Sequence, residues 1–188
     1  SFAVSMNGRL HQFGILSSIG ATPKQIRTCL LQEAAALCAA EKEKGRRVVF
    51  TNGCFDIIHA GHVRYLTAAR ERGDLLVVGL NSDGSVRRLK GAARPVNGEQ
   101  DRAEVLLGLK AVDYVTIFAE DTAAETIAAL KPSVYAKGAD YTRETLPEAE
   151  LVEDYGGDVA FINLAPGRST SGIIARASAG QSGAGGRP

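Results

Sequence analysis

The chain is expected to fold as an α/β domain around a five-stranded parallel sheet. Three observations predict this. Short apolar or β-branched runs alternate with helix-like patterns at the spacing of βαβ units. The run at 75–80 (LLVVGL) is almost continuously apolar, as a strand covered on both faces must be. A turn rich in Gly and His follows the first run and opens a helix, which is where open parallel sheets bind ligands.

The elements follow in order. A helix is expected from Thr22 to about Lys44, with Thr22-Pro23 as its cap and first turn. Residues 47–51 (RVVFT) form the first strand. Residues 61–72 form a helix with Val63, Leu66 and Ala69 at helical spacing. After the strand at 75–80, residues 98–109 read as a helix with Val105, Leu106 and Leu109 as its buried stripe. Strands at 114–118, 134–136 and 159–162 enclose helices at 122–130, stopped by Pro132, and 148–155. A last helix is expected at 170–177. Crossovers between parallel strands are right-handed. The chain then divides into an N-terminal helical extension (1–45), the α/β domain (46–177) and a flexible Gly/Ser/Ala tail (178–188).

Composition excludes several classes. With 188 residues, 45% hydrophobic and 23% charged, the chain can build a sizeable core. Its net charge of +1 argues against non-specific nucleic-acid binding. Aromatics are only 6% and Trp is absent, so a single-strand stacking platform is not expected. Cys29, Cys38 and Cys54 are odd in number with no Cys-x-x-Cys pair, which fits a reduced, cytoplasmic setting and suggests no zinc site. No run of 18 apolar residues occurs, so no membrane span is expected.

The sharpest feature is residues 51–62, TNGCFDIIHAGH. His59 and His62 flank Ala60-Gly61 at a helix start, where free amides and the dipole suit phosphate. Gly53 and Gly61 let a bulky anion approach the backbone. Imidazoles donate hydrogen bonds to phosphate oxygens without a permanent charge. Neither Gly-Lys-Ser/Thr nor Gly-x-Gly-x-x-Gly occurs, so a Walker A loop and a dinucleotide oxidoreductase are not supported. Third ligands for a metal are missing beside the two histidines.

This segment resembles the T-x-G-x-F-D-x-x-H-x-G-H signature of the cytidylyltransferase-like nucleotidyltransferases. The resemblance covers about residues 42–177 and continues in VGLNSDGSVRRLKG, RPVN, AKGADY and RSTSGII. RLKG followed by RPVN, together with KG-x-DY, is similar to the heptose 1-phosphate adenylyltransferase subgroup. Ala139 stands where that subgroup has a second glycine, and Ser171 where its last motif often has Thr. The resemblance implies a Rossmann-like, doubly wound sheet of the HxGH type. The implied reaction joins the AMP moiety of ATP to D-glycero-β-D-manno-heptose 1-phosphate, with Mg²⁺ accompanying ATP. A homodimer is implied too. The alternatives are a cytidylyltransferase for glycerol 3-phosphate or a related alcohol phosphate, and a non-catalytic nucleotide-binding module.

Residue roles follow from the same resemblance. His59, His62 and Lys90 are the expected catalytic groups: the histidines hold the triphosphate and Lys90 neutralises phosphate. Thr51, Asn52, Gly53, Cys54, Phe55, Gly61, Asn81, Asp83, Arg94, Ser169 and Thr170 are expected at the nucleotide. Asp83 either accepts from a ribose hydroxyl or caps a turn, and Arg94 faces the triphosphate or the sugar phosphate. Asp56, Lys137 and Asp140 are expected on the substrate side, with Asp56 also able to orient its loop. Arg87 and Arg88 read as a solvated face, and Arg168 is a weaker candidate beside Ser169. No protein metal ligand is expected. Residues 1–38 resemble instead a cytoplasmic segment of FtsX-type permeases, and 46 residues cannot hold the kinase half found in bifunctional members of the subgroup.

Overall fold

The computed structural model describes residues 20–163, so the expected helix at 170–177, the tail, Arg168, Ser169 and Thr170 lie outside the described residues. Five strands make one parallel sheet in the order β3-β2-β1-β4-β5. They are β1 (Val48–Gly53), β2 (Leu75–Asn81), β3 (Tyr114–Phe118), β4 (Val134–Gly138) and β5 (Asp158–Ile162). The helices are α1 (Pro23–Glu43), α2 (Ala60–Arg70), α3 (Asp83–Lys90), α4 (Glu99–Leu107), α5 (Ala124–Leu130) and α6 (Ala149–Asp154). The chain winds outward from β1 to β3, then returns to place β4 on the other side of β1. That reversal opens a crevice between the ends of β1 and β4, the place where such sheets bind ligands.

Period-two alternation splits the core between the two faces. Val49, Leu76, Val78, Leu80, Val115 and Ile117 pack under α2 and α4, with Leu66, Ala69 and Leu106. Val48, Phe50, Val77, Tyr114 and Tyr135 pack under α5 and α6, with Ile127 and Val152. Both faces of β2 are buried, as its continuous apolar run requires.

α1 begins at Thr22 with a complete capping box: the Thr22 side chain accepts from Gln25 N and the Gln25 side chain accepts from Thr22 N. The helix is packed into the domain rather than set apart from it. Ile26 and Leu30 join one core and Ala34 and Cys38 the other. On β3, the Tyr114 hydroxyl donates to Leu30 O (3.3 Å) and to Glu33 Oε2 (3.0 Å). Helix α1 therefore shields the edge strand and contributes to the same cores.

Two expected stripes differ in the structure. Tyr65, not Val63, joins Leu66 and Ala69 inside α2, and Val63 is exposed. At about 100° per residue Val63 falls well off the centre of that stripe. On α4 the buried set is Arg102, Ala103, Leu106 and Leu107, while Val105 faces solvent. The basic stretch 83–90 is a helix, α3, capped by the Ser82 hydroxyl on Ser85 N at 3.2 Å.

Candidate active site

The site lies at the carboxyl ends of β1, β2 and β4. The loop after β1 is shaped from within. Phe55 sits at φ 42°, a left-handed conformation that few non-glycine residues adopt. Its ring is clamped between Gly53 and His62. A Cβ on Gly53 would stand 3.0 Å from that ring, so a side chain there would press on Phe55. The ring meets His62 edge-on at 5.4 Å between centroids. Beneath the loop, Thr51 Oγ1 and Tyr65 Oη lie 2.7 Å apart, and Tyr65 donates to Ala136 O at 3.0 Å. The backbone ends of β1 and β4 are thereby tied together.

His59 is the N-cap of α2, its Nδ1 accepting from Gly61 N at 3.1 Å. The first-turn amides that have no helical carbonyl point outward beside it. The His62 ring stacks on that of His59, with centroids 3.9 Å apart and planes 19° from parallel. Burial, and after it the charge of His59, pushes the His62 pKa down to about 4. Backbone contact with Ile57 works the other way. The Nδ1 of His62 is nevertheless buried without a partner at hydrogen-bond geometry among the described residues. At neutral pH the pair is therefore at most singly charged.

Asp56 is 3% exposed and fully engaged. It accepts from Arg94 Nε, from Val96 N (2.8 Å) and from Asn97 N (3.0 Å), while Asn97 Nδ2 returns a bond to Asp56 O (2.8 Å). Burial alone would raise the Asp56 carboxyl. The Asn97 amide, Arg94 and the Val96 amide outweigh it and hold it below the ordinary range. Asp56 thus pins the segment 94–97 against the β1 loop, and Arg94 is an ion-pair partner with its Nε committed.

Arg102, which no motif singles out, is the hub of the site. It is 1% exposed and its guanidinium joins four segments. Nη1 donates to Cys54 O, Nε to Asn97 O (3.0 Å), and Nη2 to both Asn81 O (2.9 Å) and Asp83 Oδ1 (2.8 Å). Asp83 is therefore committed to Arg102, and its own amide donates to Glu99 Oε2 at 2.8 Å. The signal in the sequence was an arginine at an apolar-stripe position of α4.

The remaining expected residues fall in two groups. Thr51 and Asn81 are buried, at 0% and 3% exposure, and support the loops from below. Asn81 Nδ2 donates to Ser85 Oγ at 3.0 Å. At the rim, Asn52 Oδ1 accepts from Tyr135 Oη at 2.8 Å, and Lys137 is half-buried beside it. Burial lifts the Cys54 thiol, against the pull of Lys90, Arg102 and Arg94, so these cations surround the β1 loop. Lys90 and Asp140 are exposed. Arg88 is held away by Asp121 (2.7 Å), as befits a solvated face.

A parallel α/β sheet with paired imidazoles on a helix N-terminus, ringed by cations at the switch in strand order, defines a phosphate-binding nucleotide domain. The chain belongs to the cytidylyltransferase-like family, whose model matches residues 50–172. It is 61% identical over 142 residues to the bifunctional protein HldE of Pelobacter propionicus, covering 76% of this chain and 29% of that protein. To the bifunctional protein HldE of Rhodopseudomonas palustris it is 51% identical over 177 residues, covering 86% of this chain and 36% of that protein. The chain thus spans about a third of the length of these relatives. Among solved structures, the lipopolysaccharide core biosynthesis protein of Thermoplasma volcanium matches at 31% identity and TM-score 0.53, covering 66% of this chain and all of that one.

Proposed function

We propose that this domain is an adenylyltransferase that joins the AMP moiety of ATP to D-glycero-β-D-manno-heptose 1-phosphate, releasing pyrophosphate. The observation that carries it is the stacked His59–His62 pair at the α2 N-terminus, set among cations. The identity to bifunctional HldE proteins and the likeness to a lipopolysaccharide core biosynthesis protein support the sugar-phosphate acceptor.

The reaction is an in-line displacement. A phosphate oxygen of the sugar phosphate attacks the α-phosphorus of ATP, a new P–O bond forms, and the bond to the β-phosphate oxygen breaks. The electron pair leaves with pyrophosphate. The attacking oxygen is already ionised at pH 7, so no general base is needed. What the protein supplies is position and charge compensation. His59, His62 and the α2 amides would hold the triphosphate, Lys90 would offset charge on the leaving pyrophosphate, and Ser169-Thr170 would add hydroxyl donors. Arg94, Asp56, Asp83 and Arg102 keep the loops in place around them.

Among the described residues no cluster of three His, Cys, Asp or Glu could hold a metal. Asp56 and Asp83 are taken up by arginines. Mg²⁺ would accompany the triphosphate oxygens and lessen their charge. A homodimer in the cytoplasm is the setting that the family likeness supports, and among the described residues no helix is long and apolar enough to cross a membrane. ATP labelled at the α-phosphorus tests the reaction: the label should pass into a sugar nucleotide, and label recovered only in ATP or AMP would refute it.

A further inference from the structure

Tyr135 belongs to none of the motifs, yet it holds a side chain at the mouth of the site. Successive side chains of β1 point to opposite faces of the sheet. Thr51 turns toward α2, where its hydroxyl lies 2.7 Å from that of Tyr65. Asn52 turns the other way, to the face covered by α5 and α6, and its Oδ1 accepts from the Tyr135 hydroxyl at 2.8 Å. Tyr135 itself is 0% exposed on β4, and its ring stacks on that of Phe50 with centroids 5.8 Å apart. The tyrosine is thus a fixed support, and the half-buried Asn52 leans on it.

A primary amide has one acceptor end and one donor end. Burial, and after it the charge of Glu148, keeps the Tyr135 hydroxyl protonated well above the ordinary tyrosine range. The hydroxyl therefore stays a donor, and the Asn52 oxygen stays occupied. What Asn52 can turn to a ligand is its Nδ2 donor, which suits the oxygens of a phosphate. The triphosphate has its place at the α2 N-terminus, and α2 covers the face that holds Tyr65 and Leu66. A group that Asn52 reaches comes from the opposite face of the sheet, which leaves the phosphate of the acceptor sugar.

We propose that Tyr135 is a positioning residue: by holding the Asn52 oxygen it aims the Asn52 amide donor at the phosphate of the acceptor sugar. This assignment rests on the nucleotidyltransferase reading above, and it moves Asn52 from the nucleotide to the acceptor. Tyr135, being fully buried, acts only through Asn52.

The test is a double-mutant cycle on the full chain that reads binding separately from turnover. ATP and heptose 1-phosphate are each titrated calorimetrically into wild type, Tyr135→Phe, Asn52→Ala and the double variant. Tyr135→Phe keeps the ring, its stacking on Phe50 and its face toward Lys137 Nζ (5.5 Å), and removes only the hydroxyl. Asn52→Ala should weaken the sugar phosphate by about tenfold or more, the range of a hydrogen bond to a charged group. Tyr135→Phe should weaken it by about fivefold. The double variant should be no worse than Asn52→Ala within about twofold, because Tyr135 then has nothing to position. ATP should bind within about twofold throughout. A second variant leaves Tyr135 untouched: Asn52→Asp keeps an acceptor for the hydroxyl but sets a carboxylate against the phosphate. It should weaken the sugar phosphate at least about tenfold. Sugar binding unchanged in Tyr135→Phe or in Asn52→Asp would overturn the assignment. So would additive losses in the double variant, or losses that fall on ATP or equally on both ligands. If wild type binds both ligands but releases no pyrophosphate, the enzymatic reading fails while the role of Tyr135 stands.

Discussion

Arg102 and Asp83 meet at 2.8 Å at the centre of the site, one 1% and the other 27% exposed in their side chains. The same guanidinium holds the backbone carbonyls of Cys54, Asn81 and Asn97. A single side chain therefore fixes the ends of β1 and β2 and the segment before α4. Three backbone carbonyls around the β1 loop face this fork rather than water.

Arg102→Lys is the sharpest test of that hub. Lysine keeps the charge but has no planar fork, so several buried carbonyls lose their donor. Stability should fall by about 3 kcal/mol in urea denaturation, and kcat/KM should fall with it. A variant as stable and active as wild type would remove Arg102 from its central place.

Asp56→Asn preserves shape and tests charge. The amide would face Arg94 Nε with a donor or abandon the Val96 and Asn97 amides. Leaving Arg94 without its partner should cost about 3 kcal/mol and lower kcat/KM at least about tenfold. Because the folded-state pKa of Asp56 is depressed, its stabilisation is present above the ordinary Asp range and lost as pH falls below about 4. Asp56→Asn should therefore flatten the acid limb of the stability curve, read from urea midpoints across that range.

His62 gives a second pH signature. Its folded pKa of about 4 lies below the ordinary 6.5, so the unfolded chain takes up this proton first. Stability should fall as pH drops from 6.5 to 4, and His62→Gln should lessen that fall. Equal slopes for variant and wild type would show that His62 titrates normally.

Gly79 should tolerate no side chain. A Cβ there would stand 2.6 Å from Phe50 Cζ and 3.3 Å from Asn52 Cβ. Phe50 cannot withdraw, because its other neighbour is the stacked ring of Tyr135 at 5.8 Å. Gly79→Ala should cost about 2 kcal/mol and displace the Asn52–Tyr135 contact, measurable by thermal melting.

The strands were legible because buried parallel strands are near-continuous apolar runs, and 114–118 coincides with β3 residue for residue. Turns at strand ends were not: β1 and β4 each extend two residues further, through Asn52-Gly53 and Lys137-Gly138, where the residues read as loop. The His59–His62 pair was legible from its spacing, since three residues on a helix place two rings on one face. The Asp56–Arg94 pair and the Arg102 fork were not, because they join residues 38 and 48 positions apart. Local pattern marks Arg102 as an arginine on an apolar stripe but does not say which distant groups it meets. The packing of α1 escaped for the same reason: its contacts are with β3, some 80 residues on.

The most direct measurement is pyrophosphate release by the purified chain with Mg²⁺, offering ATP or CTP against β-heptose 1-phosphate, its α-anomer and glycerol 3-phosphate. Release with ATP and β-heptose 1-phosphate, abolished by His59→Ala, is the predicted result. Release only with CTP and glycerol 3-phosphate, or turnover undiminished in His59→Ala, would contradict it.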